Sequence, residues 1–108
     1  MKQRIGVALV VCLMTSAAAL AGDWKEDHPR RAEVNSRLSR QNQRINEGVA
    51  TGQLTKNQAR QLHAEDHAIR QQERAEAAAN GGHITKGEQR QLNREENRVS
   101  GQIYQEKH

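Results

Sequence analysis

Residues 52–62 read GQLTKNQARQL, and residues 82–92, thirty positions further along, read GHITKGEQRQL. In each copy a threonine stands three positions before a glutamine or a glutamate. The two pairs are Thr55 with Gln58 and Thr85 with Glu88. This is the spacing of a capping box, in which the threonine hydroxyl and the later side chain each bind the other residue's backbone N–H. The repeat therefore predicts two helices that begin in the same way and present equivalent faces.

The rest of the chain extends this pattern to an all-α fold. Arg, Gln, Glu and Ala dominate the composition, and all four favour helices. Asp27 and Pro29 predict the start of an earlier helix, with Asp27 as its N-cap and Pro29 in its first turn, and Gly48 and Gly52 predict its end. Asn-Gly-Gly at residues 80–82 predicts the end of the next helix. Short turns favour antiparallel neighbours, so we expect two to three antiparallel helices in a single small domain.

The large apolar and aromatic side chains are few for a chain of this length. After residue 21 they are Trp24, Val34, Leu38, Ile45, Val49, Leu54, Leu62, Ile69, Ile84, Leu92, Val99, Ile103 and Tyr104. Short chains bury a small share of their surface, so we expect a sparse core that self-association or a partner protein completes. The residues expected to form that interaction surface are Leu38, Ile45, Leu62, Ile69, Leu92 and Val99.

The first 21 residues have the pattern of a secretory signal peptide. Lys2 and Arg4 precede an apolar run at residues 5–14, and small residues lead to an Ala-Leu-Ala cleavage site at residues 19–21. The run is shorter than the roughly 20 residues that span a bilayer, so an uncleaved anchor fits less well. We therefore predict a mature chain of residues 22–108 in the periplasm or outside the cell, with no transmembrane segment.

Cleavage after residue 21 would limit the chemistry of the mature chain. It removes Cys12, the single cysteine, so neither disulfides nor thiol chemistry remain. It also removes two of the 17 Lys and Arg residues and none of the 13 Asp and Glu residues, so the net charge falls from +4 to +2. The weak charge and the scarcity of aromatic side chains argue against a nucleic-acid partner. Arg37, Arg40 and Arg44 still form a basic strip that could meet an anionic envelope surface.

His63 and His67 are the candidate metal ligands. They lie four residues apart, so their rings project from the same face of a helix, and Glu65 lies between them in sequence. Imidazole pairs bind copper, zinc or nickel. No other cofactor is indicated. The serines of the mature chain have no activating base at a recognisable spacing, so we expect no enzyme activity.

Three stretches resemble one group of known proteins. Residues 41–55, QNQRINEGVATGQLT, the GHIT turn at 82–85 and the ending IYQEKH at 103–108 together resemble short, exported, helical proteins of proteobacteria. The resemblance covers nearly the whole mature chain from Gln41 onward. It implies a helical periplasmic protein and carries no activity with it.

A shorter stretch resembles a second group. Residues 54–58, LTKNQ, match the LTxxQ signature of the periplasmic envelope-stress proteins of the Spy and CpxP type. That resemblance implies a helical, dimeric, ATP-independent chaperone or a metal-stress adaptor. The later copy at residues 84–88, ITKGE, departs from the signature at both ends, and a capping box after an aliphatic residue accounts for the same letters.

Three functional hypotheses follow from these patterns. The first is a non-catalytic periplasmic binding protein of an envelope-stress or chaperone-like kind. The second is a periplasmic metal-binding protein centred on His63 and His67. The third is a small adaptor that folds on its partner.

Overall fold

The computed structural model describes residues 24–108, which are helical apart from the turns between helices. The long helices are α1 (Pro29–Ala50), α2 (Lys56–Ala79) and α3 (Lys86–Lys107). Each packs against the other two, which confirms the predicted all-α class. The predicted signal peptide at residues 1–21 lies outside the described residues. Within the described part of the chain, no helix has both the length and the apolar character needed to cross a membrane.

Contacts between the helices fix their directions. α1 and α3 are parallel, because their contacts advance along both helices, from Arg37 with Asn97 to Arg44 with Ser100. α2 connects them and runs antiparallel to both. The prediction of antiparallel neighbours therefore holds for consecutive helices, while the first and third helices run in the same direction.

α2 and α3 make one contact twice, with the partners exchanged. Gln72 donates to Glu95 at 3.1 Å, and Gln102 donates to Glu65 at 2.7 Å. Gln102 is the copy of Gln72 and Glu95 is the copy of Glu65, thirty positions along the chain. The sequence repeat therefore appears in the fold as a reciprocal pair of contacts across an antiparallel helix pair.

Both predicted capping boxes are present. The Gln58 N–H donates to the Thr55 hydroxyl at 3.1 Å, and the Thr55 N–H donates to Gln58 Oε1 at 2.9 Å. The corresponding distances between Thr85 and Glu88 are 3.0 Å and 2.8 Å. Each box satisfies two backbone N–H groups that a helix start would otherwise leave without a partner.

The start of α1 differs from the prediction. Its N-cap is His28 rather than Asp27, and no side chain caps it. The reason is a helical turn at residues 24–27: the His28 N–H donates to the Trp24 carbonyl at 2.9 Å, which places Asp27 inside that turn. The His28 ring stacks between Trp24 and His83, with centroid distances of 4.8 Å and 4.7 Å. Stacking thus joins the start of α1 to the turn before α3.

Gly48, one of the two glycines expected to end α1, lies inside the helix and is buried. It allows close packing, because a Cβ added there would lie 2.5 Å from Leu54 Cδ1. Leu54 crosses over Gly48 after the turn, and its N–H donates to the Gly48 carbonyl at 3.0 Å. α1 ends two residues later, at Ala50.

The core closes within a single chain. Its buried hydrophobic residues, none more than 6% exposed, are Val34, Leu38, Ile45, Leu54, Ala59, Leu62, Ile69, Ala77, Ile84, Leu92, Val99 and Ile103. They include all six residues predicted to form an interaction surface, and within the single chain these side chains face inward. Three helices share the apolar stripes, and Leu54 and Ile84 extend the core at its two ends. Self-association stays a prediction.

A buried ion pair holds α1 against α2. Arg31 contacts Glu73, whose side chain is only 1% exposed. Arg31 also donates to the Gly82 carbonyl at 3.1 Å, and Arg30 donates to the Ile84 carbonyl at 3.3 Å. The first turn of α1 therefore fixes the turn between α2 and α3.

Thr55→Ala and Thr85→Ala are each expected to lower the free energy of unfolding by about 1 kcal/mol, because each removes the acceptor for an N3 backbone N–H. Thr51→Ala is the control, since the Thr51 hydroxyl donates to carbonyl groups at the end of α1 and caps no N-terminus. Urea unfolding followed by circular dichroism measures all three. A loss for Thr51→Ala as large as for the two cap variants would contradict the assignment.

Two glycine substitutions should have opposite effects. Gly101→Ala is expected to raise the free energy of unfolding by about 0.5–1 kcal/mol, because Gly101 lies in α3 with no heavy atom near its added Cβ. Gly48→Ala is expected to lower the free energy of unfolding by about 1 kcal/mol or more. Alanine again favours the helix, but its Cβ displaces the buried Leu54, and that cost is larger. Thermal unfolding compares them, and stabilisation by both would show that Leu54 yields without cost.

Candidate functional site

A polar layer interrupts the apolar core at mid-height. At this level of the bundle, each long helix buries one polar residue between two aliphatic ones. The three sets are Leu38, Gln41 and Ile45 in α1, Leu62, Asp66 and Ile69 in α2, and Leu92, Glu96 and Val99 in α3. We call Gln41, Asp66 and Glu96 the polar layer. Its two acids lie thirty residues apart and so occupy the same position in the two copies of the repeat.

Hydrogen bonds satisfy only part of this layer. The Gln41 side chain donates to the Glu96 carbonyl at 2.6 Å, and the Asn93 amide donates to Glu96 Oε1 at 3.1 Å. Among the described residues, neither carboxyl oxygen of Asp66 has a hydrogen-bond partner, and neither does Glu96 Oε2. A buried carboxylate without partners is costly, so the neutral acid is the form that this environment favours.

Burial raises the pKa of Glu96 from its ordinary value of 4.5 to about 8. Neighbouring charges act in both directions. The positive charges of Arg37 and Arg40 on α1 lower this pKa, whereas the negative charges of Glu33 on α1 and Asp66 on α2 raise it. The desolvation of the carboxyl group exceeds the attraction of the two arginines, so Glu96 is largely protonated at neutral pH.

Burial likewise raises the pKa of Asp66, from 3.8 to about 6. The next contribution is the negative charge of Glu65, which also raises it. Arg70 on the same helix and Arg44 on α1 lower it. The negative charge of Asp66 in turn raises the pKa of Glu96, because two like charges would lie in one buried layer.

Arginine side chains line a groove above this layer. The groove has a volume of about 200 Å³, and its lining residues are Arg37, Arg40, Gln41, Arg44, Asn97 and Ser100. We call it the arginine groove. It runs between the parallel helices α1 and α3, and the buried Gln41 belongs to both the groove and the polar layer. The predicted basic strip therefore lies along a concave surface rather than on an isolated helix face.

The structure does not assemble the predicted metal site. The His63 ring lies between two α1 amides, with Nδ1 2.9 Å from Asn42 Oδ1 and Nε2 3.1 Å from Asn46 Oδ1. His67 is exposed, and Glu65 accepts from the Gln102 amide. Within residues 24–108, no three His, Cys, Asp or Glu side chains come together in a way that could hold a metal ion. A metal at His63 would first have to displace its contacts with α1.

The sequence contained a signal for the polar layer that the predictions did not use. Asp66 lies four residues after Leu62 and three before Ile69, and Glu96 has the same spacing from Leu92 and Val99. These are the spacings of one helix face. An acid that interrupts an apolar stripe at the same place in both copies of a repeat is a candidate for burial.

No protein-family model, curated protein or solved structure matches this chain. The resemblances to short exported proteins and to the Spy and CpxP type therefore stay predictions. The polar layer and the arginine groove are interpreted from their own geometry.

The polar layer should make the fold less stable as the pH rises. Glu96 has a higher pKa in the folded chain than its ordinary value of 4.5, so its stabilising proton is fully present below pH 4.5 and is lost as the pH rises through about 8. For Asp66 the corresponding loss runs from pH 3.8 to about 6. We expect the free energy of unfolding to fall by roughly a few kcal/mol between pH 5 and pH 9.

Glu96→Gln tests this origin, because the amide keeps the size of the protonated acid and cannot ionise. The variant should resemble the wild type at pH 5, exceed its stability at pH 9 and show a flatter profile between them. Glu47→Gln, at an exposed position on α1, is the control with the same change of charge. Urea unfolding at five pH values measures the profiles, and a wild-type stability that rises with pH would refute the interpretation.

Proposed function

We propose that this chain is a non-catalytic, exported binding protein of the envelope-stress, chaperone-like kind. It holds its apolar faces inside a closed bundle and exposes them when the polar layer ionises. The observation that supports this proposal is the burial of Asp66 and Glu96, without ion pairs among the described residues, between the aliphatic layers of the core. The predicted signal peptide supports a site of action in the periplasm or outside the cell.

The closed bundle offers little apolar surface to an unfolded client. The six aliphatic residues expected to face a partner are at most 3% exposed. Of the large hydrophobic residues in the described chain, Tyr104 is the exposed one. Chaperones of the ATP-independent kind need apolar surface to hold clients, so this chain binds them only after its helices separate.

Ionisation of the polar layer supplies a reason for the helices to separate. The free energy of unfolding of a small domain is roughly 5–15 kcal/mol. Burying an ionised acid without a partner lowers it by several kcal/mol. When both acids lose their protons, their mutual repulsion adds to that cost. Opening admits water to both carboxylates and removes the penalty.

α3 is the helix most easily released. Arg31 and Glu73 hold α1 to α2 through a buried ion pair. Apart from the buried bond from Gln41 to the Glu96 carbonyl, the side-chain contacts of α3 are hydrogen bonds nearer the surface, such as Arg44 to the Ser100 hydroxyl at 2.7 Å and Gln72 to Glu95 at 3.1 Å. Release of α3 would solvate Glu96 and expose the apolar face that it covers.

An aggregation assay at two pH values tests the proposal. Wild-type protein at equimolar ratio should slow the aggregation of an unrelated denatured client at pH 9, without ATP, and should protect it much less at pH 6. The double variant Asp66→Asn with Glu96→Gln should protect little at either pH, because its polar layer cannot ionise. Hydrogen exchange of α3 amides at both pH values reports opening independently of any client.

Glu47→Gln is the control outside the core and should behave like the wild type. It removes one negative charge from an exposed position, where the double variant removes two buried ones at pH 9. Equal protection at both pH values would contradict the proposal. So would full protection at pH 9 by the double variant. No protection by the wild type at several-fold excess, with α3 amides exchanging rapidly, would remove the chaperone-like function while leaving the pH-dependent opening in place.

A further inference from the structure

We propose that the arginine groove is a binding site for a phosphate-type oxyanion, supplied either as free phosphate or as the phosphodiester of a lipid headgroup. The site belongs to the closed bundle and is separate from client binding, which requires the bundle to open. It therefore goes beyond the function proposed above and does not depend on it.

The spacing of the arginines concentrates positive charge along one line. Arg37, Arg40 and Arg44 lie at positions i, i+3 and i+7 of α1, which share one helix face. α3 forms the opposite wall of the groove and contributes Asn97 and Ser100, both uncharged. Three cations therefore border a cavity of about 200 Å³, enough for one tetrahedral oxyanion.

The arginines are positioned mainly by neutral groups. Arg37 donates to Asn97 Oδ1 at 3.2 Å, Arg40 donates to the Ser36 hydroxyl at 3.2 Å, and Arg44 donates to the Ser100 hydroxyl at 2.7 Å. Hydrogen bonds to amide and hydroxyl oxygens fix the direction of a guanidinium group without neutralising its charge. The side chains are thus held in place while their attraction for an anion remains.

Three acids lie near the groove, and none of them neutralises it. Asp66 lies buried on α2, has its pKa lowered by Arg44, and brings at most one negative charge against three arginines. Glu33 forms a half-exposed ion pair with Arg37 at 3.3 Å and also accepts from the Gln89 and Asn93 amides, so its charge is shared among several donors. Glu96 lies beneath the groove and is largely protonated at neutral pH because burial raises its pKa. The balance of charge in the groove is therefore positive.

The donors present favour a tetrahedral oxyanion over a simple halide. A guanidinium group offers two parallel N–H bonds, which match two oxygens of one phosphate. The Asn97 amide and the Ser100 hydroxyl supply further donors on the facing wall. Chloride has no pair of oxygens to accept these bonds, so it gains only the general attraction of the charges.

NMR titration of the full chain at pH 6.5, where the bundle is closed, tests the site. Inorganic phosphate should shift the Arg40 and Arg44 Nε–Hε signals along saturating curves, and chloride at matched ionic strength should not. Arg40→Gln should weaken phosphate binding by about tenfold, as expected for loss of charge-assisted hydrogen bonds. Arg60→Gln, an exposed change of equal charge on α2, is the control and should leave the affinity unchanged.

Vesicle sedimentation then separates the two sources of phosphate. Binding to phosphatidylglycerol vesicles but not to phosphatidylcholine vesicles, with loss in Arg40→Gln, assigns the site to a lipid headgroup. Saturable binding of inorganic phosphate without vesicle binding assigns it to a soluble phosphate. Equal responses to phosphate and chloride would overturn the proposal, and so would an Arg60→Gln effect as large as that of Arg40→Gln, since it would reveal attraction by net charge alone.

Discussion

The fold depends on the burial of two acids at one height of a small bundle. Glu73 shows the usual way to bury a carboxylate, because Arg31 lies against it and compensates its charge. Asp66 and Glu96 have no such ion pair among the described residues, and their carboxyl groups remain compatible with the core mainly as neutral acids. The same residues that complete the packing in acid therefore oppose it in base. A core with few aliphatic layers has little further stability with which to offset this opposition.

Gln41 belongs to both the groove and the polar layer, and an anion bound in the groove would be thermodynamically linked to the protons of the layer. Arg37 and Arg40 border the groove and also lower the pKa of Glu96 beneath it. An anion that neutralised these arginines would weaken that influence and favour the protonated acid. By reciprocity, protonation of Glu96 would favour the anion. Protons and phosphate would thus act in the same direction, both holding the bundle closed.

Local features of this fold could be predicted from sequence, and features that need a second helix could not. The capping boxes at Thr55 and Thr85 involve groups three residues apart, so the residue types at those positions are enough to predict them. The start of α1 was misplaced because His28 stacks not only on Trp24 but also on His83, in a turn far along the chain. The amides that hold His63 lie on another helix, whose rotation the spacing of the histidines does not reveal. Core closure also required the third helix, because two thin stripes alone would have left their faces open.

The reciprocal contacts between α2 and α3 give this helix pair a local two-fold axis. In antiparallel helices built from one repeated sequence, a residue and its own copy reach the same height only near the centre. α2 and α3 have 24 and 22 residues, and Asp66 and Glu96 lie near their midpoints. Away from the centre, a residue and its copy lie toward opposite ends of the helix pair, so a duplicated charge occurs at two distant places. Near the centre, duplication of a single acid puts two acids into one buried layer, and the effect of Asp66 on the pKa of Glu96 therefore follows from the symmetry of the repeat.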